Sequence, residues 1–433
     1  MHTLSIILYT ITFIFIYVSS TICFDHHHPL NPSIKQLVHC PATETENSRT
    51  PLAKRSTDAS GFKIDFTCYA SNHTCQRARQ AFERAGSIIS QAITFTTPIM
   101  VNATYVPFCR TLGECPKGNL VTLGGSYPAR TVAIAKGDGV FRLYPQALVK
   151  QMELNSPPAF AQYDIVSLFN AEAPFWFEDD GPIEGDQSDF LFVILHEFIH
   201  GLGFYSNWQE PVGWDALIPD LSPLVQGERL VGINETNGDF VFTSALESVF
   251  DQYLVRLSDM QHTSNIARKF NRYRLQRAIP LVEGLQQTGL WDEAKAMYEL
   301  GTKAKSLGFV APNDSSAMLV LETGLSPFQS GSSISHVDYA MYGDSADFLM
   351  RYMQDRGLTL EQAMARSGSS SPIGPKLRKV LKTLGYQTIE YQPKLQAAVR
   401  LNALQSTGYK VTSISSGWVI PMLLSCIVLC VDR

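Results

Sequence analysis

His196, Glu197 and His200 lie together in LFVILHEFIHGLGF, the stretch from Leu191 to Phe204. On a helix a four-residue step is about one turn, so both imidazoles project from one face with Glu197 beside them. Neutral imidazole nitrogens suit Zn²⁺, and a carboxylate over the open coordination position takes a proton from water that the metal has acidified. The spacing therefore predicts a helix that supplies two ligands and a base. Phe190 to Leu195 is apolar throughout, which buries that helix in the domain centre, where two histidines and a carboxylate need partners. HExxH also arises by chance on core helices whose histidines are merely hydrogen-bonded, so the rest of the chain has to supply what is missing.

What is missing is a third ligand, since catalytic zinc sites take three protein groups and leave one position open. The residues offer two candidates. Glu247 and Asp251 form an ExxxD pair on an amphipathic helix predicted over Ala245 to Leu257 (ALESVFDQYLVRL), similar to the third-ligand helix of thermolysin-like enzymes, in which the glutamate binds zinc and the aspartate orients a histidine. His336 sits in the loop-like SPFQSGSSISHVDYA, and Met350 follows fourteen residues later as a hydrophobic floor beneath the metal.

The elements that position these residues are read from periodicity. Gln76 to Ile89 has a helical apolar face, Pro98 to Phe108 alternates like a strand, and Tyr144 to Met152 predicts a second helix. Tyr163 to Phe169 reads as a strand, and a Phe-, Trp- and Asp-rich loop from Pro174 to Asp189 leads into the histidine helix. Strand, loop and helix in that order place a sheet edge beside a cleft. Residues 206–317 read as a largely helical insertion, interrupted at Pro280 and Gly301, and Leu360 to Leu384 as a short helical tail.

With 433 residues and 45% hydrophobic content, the chain can bury a large core. A formal net charge of −5 gives no overall basic field, which excludes nucleic acid as an expected partner. The one basic run, Arg268 to Arg277, reads as a solvated helix face. Nothing in the sequence sets an oligomeric state.

The ends of the chain carry the localisation. Leu4 to Val18 followed by Ser19 and Ser20 reads as an export signal (residues 1–23), and residues 24–55, ending at Lys54-Arg55, read as a propeptide. Sequons at Asn72, Asn102, Asn234 and Asn313 fit a glycosylated surface. Cys23 and Cys40 are then expected to leave on maturation, and Cys40 before that offers a thiolate to the zinc as a plug. Cys68, Cys75, Cys109 and Cys115 remain in an oxidising compartment; close spacing favours 68 with 75 and 109 with 115 among three possible connectivities. Residues 56–405 are then expected to form the main domain, which carries the histidine helix. Trp418 to Val431 is apolar but short for a membrane span, and small residues precede it at 406–408. That layout predicts a glycolipid-anchor signal over residues 406–433, with a single spanning tail or a buried helix as alternatives.

HEFIHGLGF resembles the zinc helix of leishmanolysin-type metzincins and related secreted HExxHGLGF proteins. The likeness extends from Ala81 to Met350 and includes DIVSLFN, FWF, FDQYL and SSISHVD. Gly203 matches the glycine of the compact pattern HExxHxxGxxH, but Ser206 stands where that pattern has its third histidine. In the resembled families the third histidine follows a long insertion and precedes a methionine turn. The resemblance therefore implies His196, His200 and His336 as zinc ligands, Glu197 as general base and Met350 as the turn. It also implies an α+β, zincin-like (metzincin-like) domain with a mixed sheet over a buried helix. The expected function is a secreted or cell-surface zinc endopeptidase acting on protein or peptide substrates. The alternatives are a non-catalytic surface binding protein on the same scaffold, and a zinc hydrolase of non-peptide substrates.

Overall fold

The computed structural model describes residues 22–32, 34–41, 61–391 and 429–432, apart from positions 117, 119, 137, 139, 212, 223, 227–228, 232, 235–238, 241–243, 273–280 and 313. The expected export signal, the pair Lys54-Arg55 and most of the apolar tail lie outside these residues. Among the described residues no helix is long and apolar enough to cross a membrane.

In chain order the site-bearing elements are β1 (Ile22–His26), β2 (Lys35–His39), β3 (Phe62–Cys68), α1 (Asn72–Ser90), β4 (Ile99–Val106), β5 (Leu120–Pro128), β6 (Arg130–Ala135), β7 (Phe141–Pro145), β8 (Ile165–Asn170) and α2 (Phe190–Gly201). The architecture is α+β. The central sheet is mixed: β3, β4 and β8 run parallel, β5 runs antiparallel to β8, and Leu429–Asp432 pairs antiparallel on the outer edge of β5. A second sheet, in the order β2-β1-β6-β7, is antiparallel throughout. Alternation along IMVNATYV turns Ile99, Val101, Ala103 and Tyr105 into the core and leaves the residues between them half-buried.

Helix α2 has no exposed side, as its uniformly apolar start predicts. Asp189 caps it by accepting from Phe192 N at 3.2 Å, and Asp189 Oδ2 also accepts from Leu360 N at 2.8 Å, which ties the helix start to the C-terminal helices. Rings of Phe82, Tyr105, Phe169, Phe175 and Phe177 surround Phe190 at 4.7–5.7 Å. At the other end Gly201 lies against β8, where a Cβ would meet Ile165 Cγ2 at 2.5 Å. Only glycine lets helix and sheet approach that closely.

The expected α1, β4 and β8 are present, and so are two helices within the predicted C-terminal tail, Leu360–Arg366 and Pro375–Leu384. Three predictions change. Tyr144 to Met152 begins as strand β7, and helix covers only Gln146–Val149, because Pro145 belongs to the strand and lacks the N–H to continue inward. Residues 206–317 are not largely helical: Ser264–Arg272, Leu281–Gln287 and Leu290–Gly301 alternate with strands including Ile218–Ser222, Leu254–Arg256, Leu307–Ala311 and Asp314–Val320. The helix predicted over Ala245 to Leu257 is replaced by the strand Ser244–Leu246, a turn, a short 3₁₀ helix at Asp251–Tyr253 and the strand Leu254–Arg256. Asp251 causes this locally, accepting from Ser248 N at 3.1 Å and Asn207 N at 2.8 Å, so its carboxylate closes a turn that competes with the helix.

Candidate metal centre

His196 and His200 leave α2 one turn apart and point the same way, as their spacing requires, and Glu197, the residue after His196, is fully buried. His336 joins them from a loop far down the chain. Its Nε2 lies 3.1 Å from His196 Nε2 and 3.1 Å from His200 Nε2, and the latter two are 3.0 Å apart. All three rings are completely buried.

The backbone decides which nitrogen of each ring faces inward. His196 Nδ1 donates to Leu349 O at 2.8 Å, His200 Nδ1 to Phe204 O at 2.6 Å and His336 Nδ1 to Ser332 O at 2.9 Å. Carbonyl oxygens only accept, so each Nδ1 carries the ring hydrogen and each Nε2 presents a lone pair. Burial also keeps the rings neutral. It pushes His196 down to about 4, against the upward pull of the Leu349 carbonyl. His200 and His336 are driven well below the ordinary imidazole range, first by burial and then by the neighbouring imidazoles.

Three buried acceptors converging on one point lack a donor among themselves, and a cation would supply what they share. These three residues form a group able to hold a metal ion. The size fits: a triangle with sides near 3 Å has its corners about 1.8 Å from its centre, inside the usual Zn–N reach of about 2.0–2.1 Å, so one ion can touch all three nitrogens.

The other candidate third ligand is engaged elsewhere. Glu247 Oε1 accepts from Arg142 Nε at 2.6 Å and Oε2 from Ser264 Oγ at 2.7 Å, in a buried ion pair. Asp251 serves the turn described above rather than a histidine. Cys40 is bonded to Cys23, which corrects the expectation of a thiolate plug, because a disulfide sulfur has no thiolate to offer. The remaining pairs are those that spacing favours, Cys68–Cys75 and Cys109–Cys115.

Ser206 stands at the position where a local third histidine would be, and its N–H donates to Ser335 Oγ at 3.1 Å. The loop that brings in His336 is thus fastened to the end of α2. Gly203, at φ +114°, makes the exit, a conformation that side-chain-bearing residues rarely take. Met350 closes the 3₁₀ turn Phe348–Met350 and is fully buried. That turn serves two of the histidines, since Leu349 O orients His196 and Met350 O accepts from Val337 N at 2.9 Å, next to His336. Glu322 braces the same loop: its N–H donates to His336 O, its carbonyl accepts from Ile334 N, and its carboxylate accepts from Gly324 N and Tyr339 N. Sequence reasoning missed Glu322 and the orienting carbonyls, because main-chain acceptors leave no mark on residue type.

The fold and site define an α+β, disulfide-bonded protein with a buried three-histidine cluster able to hold a metal. The chain belongs to the SPBPB7E8-like family, whose model matches residues 23–401. Uncharacterized protein PB7E8.01 of Schizosaccharomyces pombe (strain 972 / ATCC 24843) is 29% identical over 394 residues, covering 82% of this chain and 68% of the relative. No solved structure matches the chain.

Proposed function

We propose that this protein is a zinc-dependent endopeptidase of zincin type, secreted or held at the cell surface. The observation that carries the reading is the convergence of the Nε2 atoms of His196, His200 and His336, with the buried Glu197 next to His196 in the helix. The three histidines would hold Zn²⁺, for which a set of neutral imidazoles is suited. When bound, the ion supplies Lewis acidity, polarising a peptide carbonyl and making water acidic near neutral pH. Glu197 takes the proton of the attacking water on its carboxylate and hands it to the departing amine nitrogen, since a peptide cannot leave as an amide anion. The carbonyls of Leu349, Phe204 and Ser332 keep each Nε2 aimed inward throughout. An extended substrate backbone is held by pairing with a strand edge.

The disulfides fit an extracellular protein. Attachment by a C-terminal glycolipid, with the signal in residues 406–433, agrees with that compartment. A phosphatidylinositol-specific phospholipase should then release the protein from cells. Of the sequons, Asn72 is exposed at the start of α1, whereas Asn102 lies inside β4 between two neighbouring strands and is a poor acceptor for a glycan.

The test is hydrolysis of casein or a peptide library, abolished by a chelator and restored by Zn²⁺. Glu197→Gln should keep the metal and lose at least about 10²-fold in turnover. Full activity of that variant sinks the mechanism, and a Zn²⁺-loaded protein that cleaves no peptide sinks the reading.

A further inference from the structure

Residues 22–41 were expected to leave with the signal and propeptide, yet they are built into the body. Strand β1 pairs with β6 through Cys23↔Val132, Phe24↔Thr131 and Asp25↔Arg130, and His26 N donates to Ala129 O at 2.8 Å. Pro41 O accepts from Ala159 N at 3.0 Å at the far end of the segment. Phe24 is buried against Ala133, Leu143 and Leu246, and Leu30 against Val106 and Phe108. Two ion pairs cross the junction: Arg130 grips both oxygens of Asp25, and Lys35 pairs with the buried Asp220. The Cys23–Cys40 disulfide closes the segment on itself inside the main core. The family match begins at Cys23.

The same segment reaches towards the histidines. His26 is buried, with Nε2 3.2 Å from Thr131 Oγ1 and its ring centroid 4.7 Å from that of Tyr127. Tyr127 stands 4.6 Å from Tyr205, and Tyr205 follows Phe204, whose carbonyl orients His200. We propose that residues 22–41 are a resident clamp on the histidine site rather than a removable leader. A cut at Lys54-Arg55 would then yield a two-chain protein. No disulfide joins the clamp to the body, so backbone pairing, the buried side chains and the two ion pairs hold it there.

The first experiment is peptide mapping of the secreted protein, purified under native conditions from its own cells. Peptides from residues 22–41, with Cys23 disulfide-bonded to Cys40, should be present in equal amount with those of the body; a folded body that lacks them overturns the proposal. The second places a site for a sequence-specific protease within residues 42–60 of the full chain, cuts the folded protein and follows it by native mass spectrometry. The clamp should stay until denaturant is added, and Asp25→Ala should speed its release about tenfold or more. Departure of the clamp from a body that keeps its circular dichroism, or an unchanged release rate in Asp25→Ala, counts against it. The positioning role, which rests on the metal reading, is read by Zn²⁺ affinity in the uncut protein. His26→Gly should bind about tenfold more weakly, while His26→Phe, which keeps a ring on Tyr127, should stay within about threefold of wild type. Equal affinity in His26→Gly overturns the positioning role, whereas a wild-type protein that binds no Zn²⁺ overturns the metal reading and leaves the residency test standing.

Discussion

His196 and His336 are 140 residues apart in the chain, yet their Nε2 atoms lie 3.1 Å apart with both Nδ1 hydrogens committed to backbone carbonyls. Neither nitrogen can donate to the other across the gap, so the pair is arranged to share a cation. Losing one of the three nitrogens should therefore affect the metal far more than it affects folding. His336→Ala is expected to weaken Zn²⁺ by 10²-fold or more. Glu247→Ala should leave Zn²⁺ affinity near wild type but destabilise the protein by about 1–3 kcal/mol, because buried Arg142 Nε and Ser264 Oγ lose their acceptor while Asp138 still holds the other two guanidinium nitrogens. Isothermal titration with Zn²⁺ alongside denaturant unfolding separates the two, and the reverse pattern would return Glu247 to the ligand set.

The close approach of α2 to β8 makes a second prediction. A Cβ on Gly201 would meet three atoms of the Ile165 side chain within 2.9 Å, and α2 is fixed at both ends by Asp189 and the Gly203 exit. Gly201→Ala should lower stability by roughly 1–3 kcal/mol through overpacking. Ile165→Ala in the same chain should restore part of that loss, since the two residues share one space and their effects should not add. Thermal melting of the two single variants and the double variant checks it; strict additivity would mean that the helix moves away from the sheet at no cost.

What was legible in the sequence follows from how each signal is encoded. HEFIH placed His196 and His200 on one face because a helix converts a four-residue step directly into a shared face. Alternation in IMVNATYV gave β4, and close spacing gave two disulfides. His336 could be nominated only by resemblance and by Met350 after it, because what brings it home is a ladder of main-chain contacts from Glu322, Val337 and the Phe348–Met350 turn. Backbone atoms are the same in every residue, so such a ladder has no composition. The stretch around Glu247 failed for the opposite reason: its apolar spacing fits a helix, but Asp251 gives its carboxylate to amides of Ser248 and Asn207, and tertiary pairing of Leu254–Arg256 with Leu307–Ala311 overrides the local period. The dibasic pair marks residues 24–55 as a candidate propeptide, and nothing in their residue types announces that β1 pairs with β6.

Asp251 carries a further prediction about pH. It is completely buried, and burial raises its carboxyl to about 7, partly offset by hydrogen bonds from Ser206, Asn207 and Ser248. An unfolded aspartate titrates near 3.9, so between about pH 4 and 7 the folded protein keeps a proton that the unfolded chain has released. The stability from this group is thus fully present below about pH 4 and is lost as pH rises through 7. Asp189, raised to about 6 by burial, acts in the same direction at the start of α2. Asp251→Asn, which cannot ionise, should flatten the fall in Tm from pH 5 to 8 by a few degrees. A wild-type Tm that rises over that interval, or an Asn variant with the same slope, would show that Asp251 ionises in the fold at an ordinary pH.

The orienting carbonyl at Leu349 gives the last prediction. It reaches His196 only because the turn Phe348–Met350 is seated by three buried side chains, with Phe348 packed edge-on against Phe192 of α2 at 5.4 Å. Met350→Leu conserves volume and apolarity and should cost under about 1.5 kcal/mol with Zn²⁺ affinity nearly unchanged. Phe348→Ala removes the ring that anchors the turn to the helix, costing about 3–5 kcal/mol. It should also weaken Zn²⁺ about 10- to 100-fold, because His196 loses the acceptor that fixes its ring. The cobalt-substituted protein offers a readout that stability alone would not move: its visible ligand-field spectrum should shift in Phe348→Ala and match wild type in Met350→Leu. Identical spectra in all three proteins would mean that the turn carries no share in aiming His196.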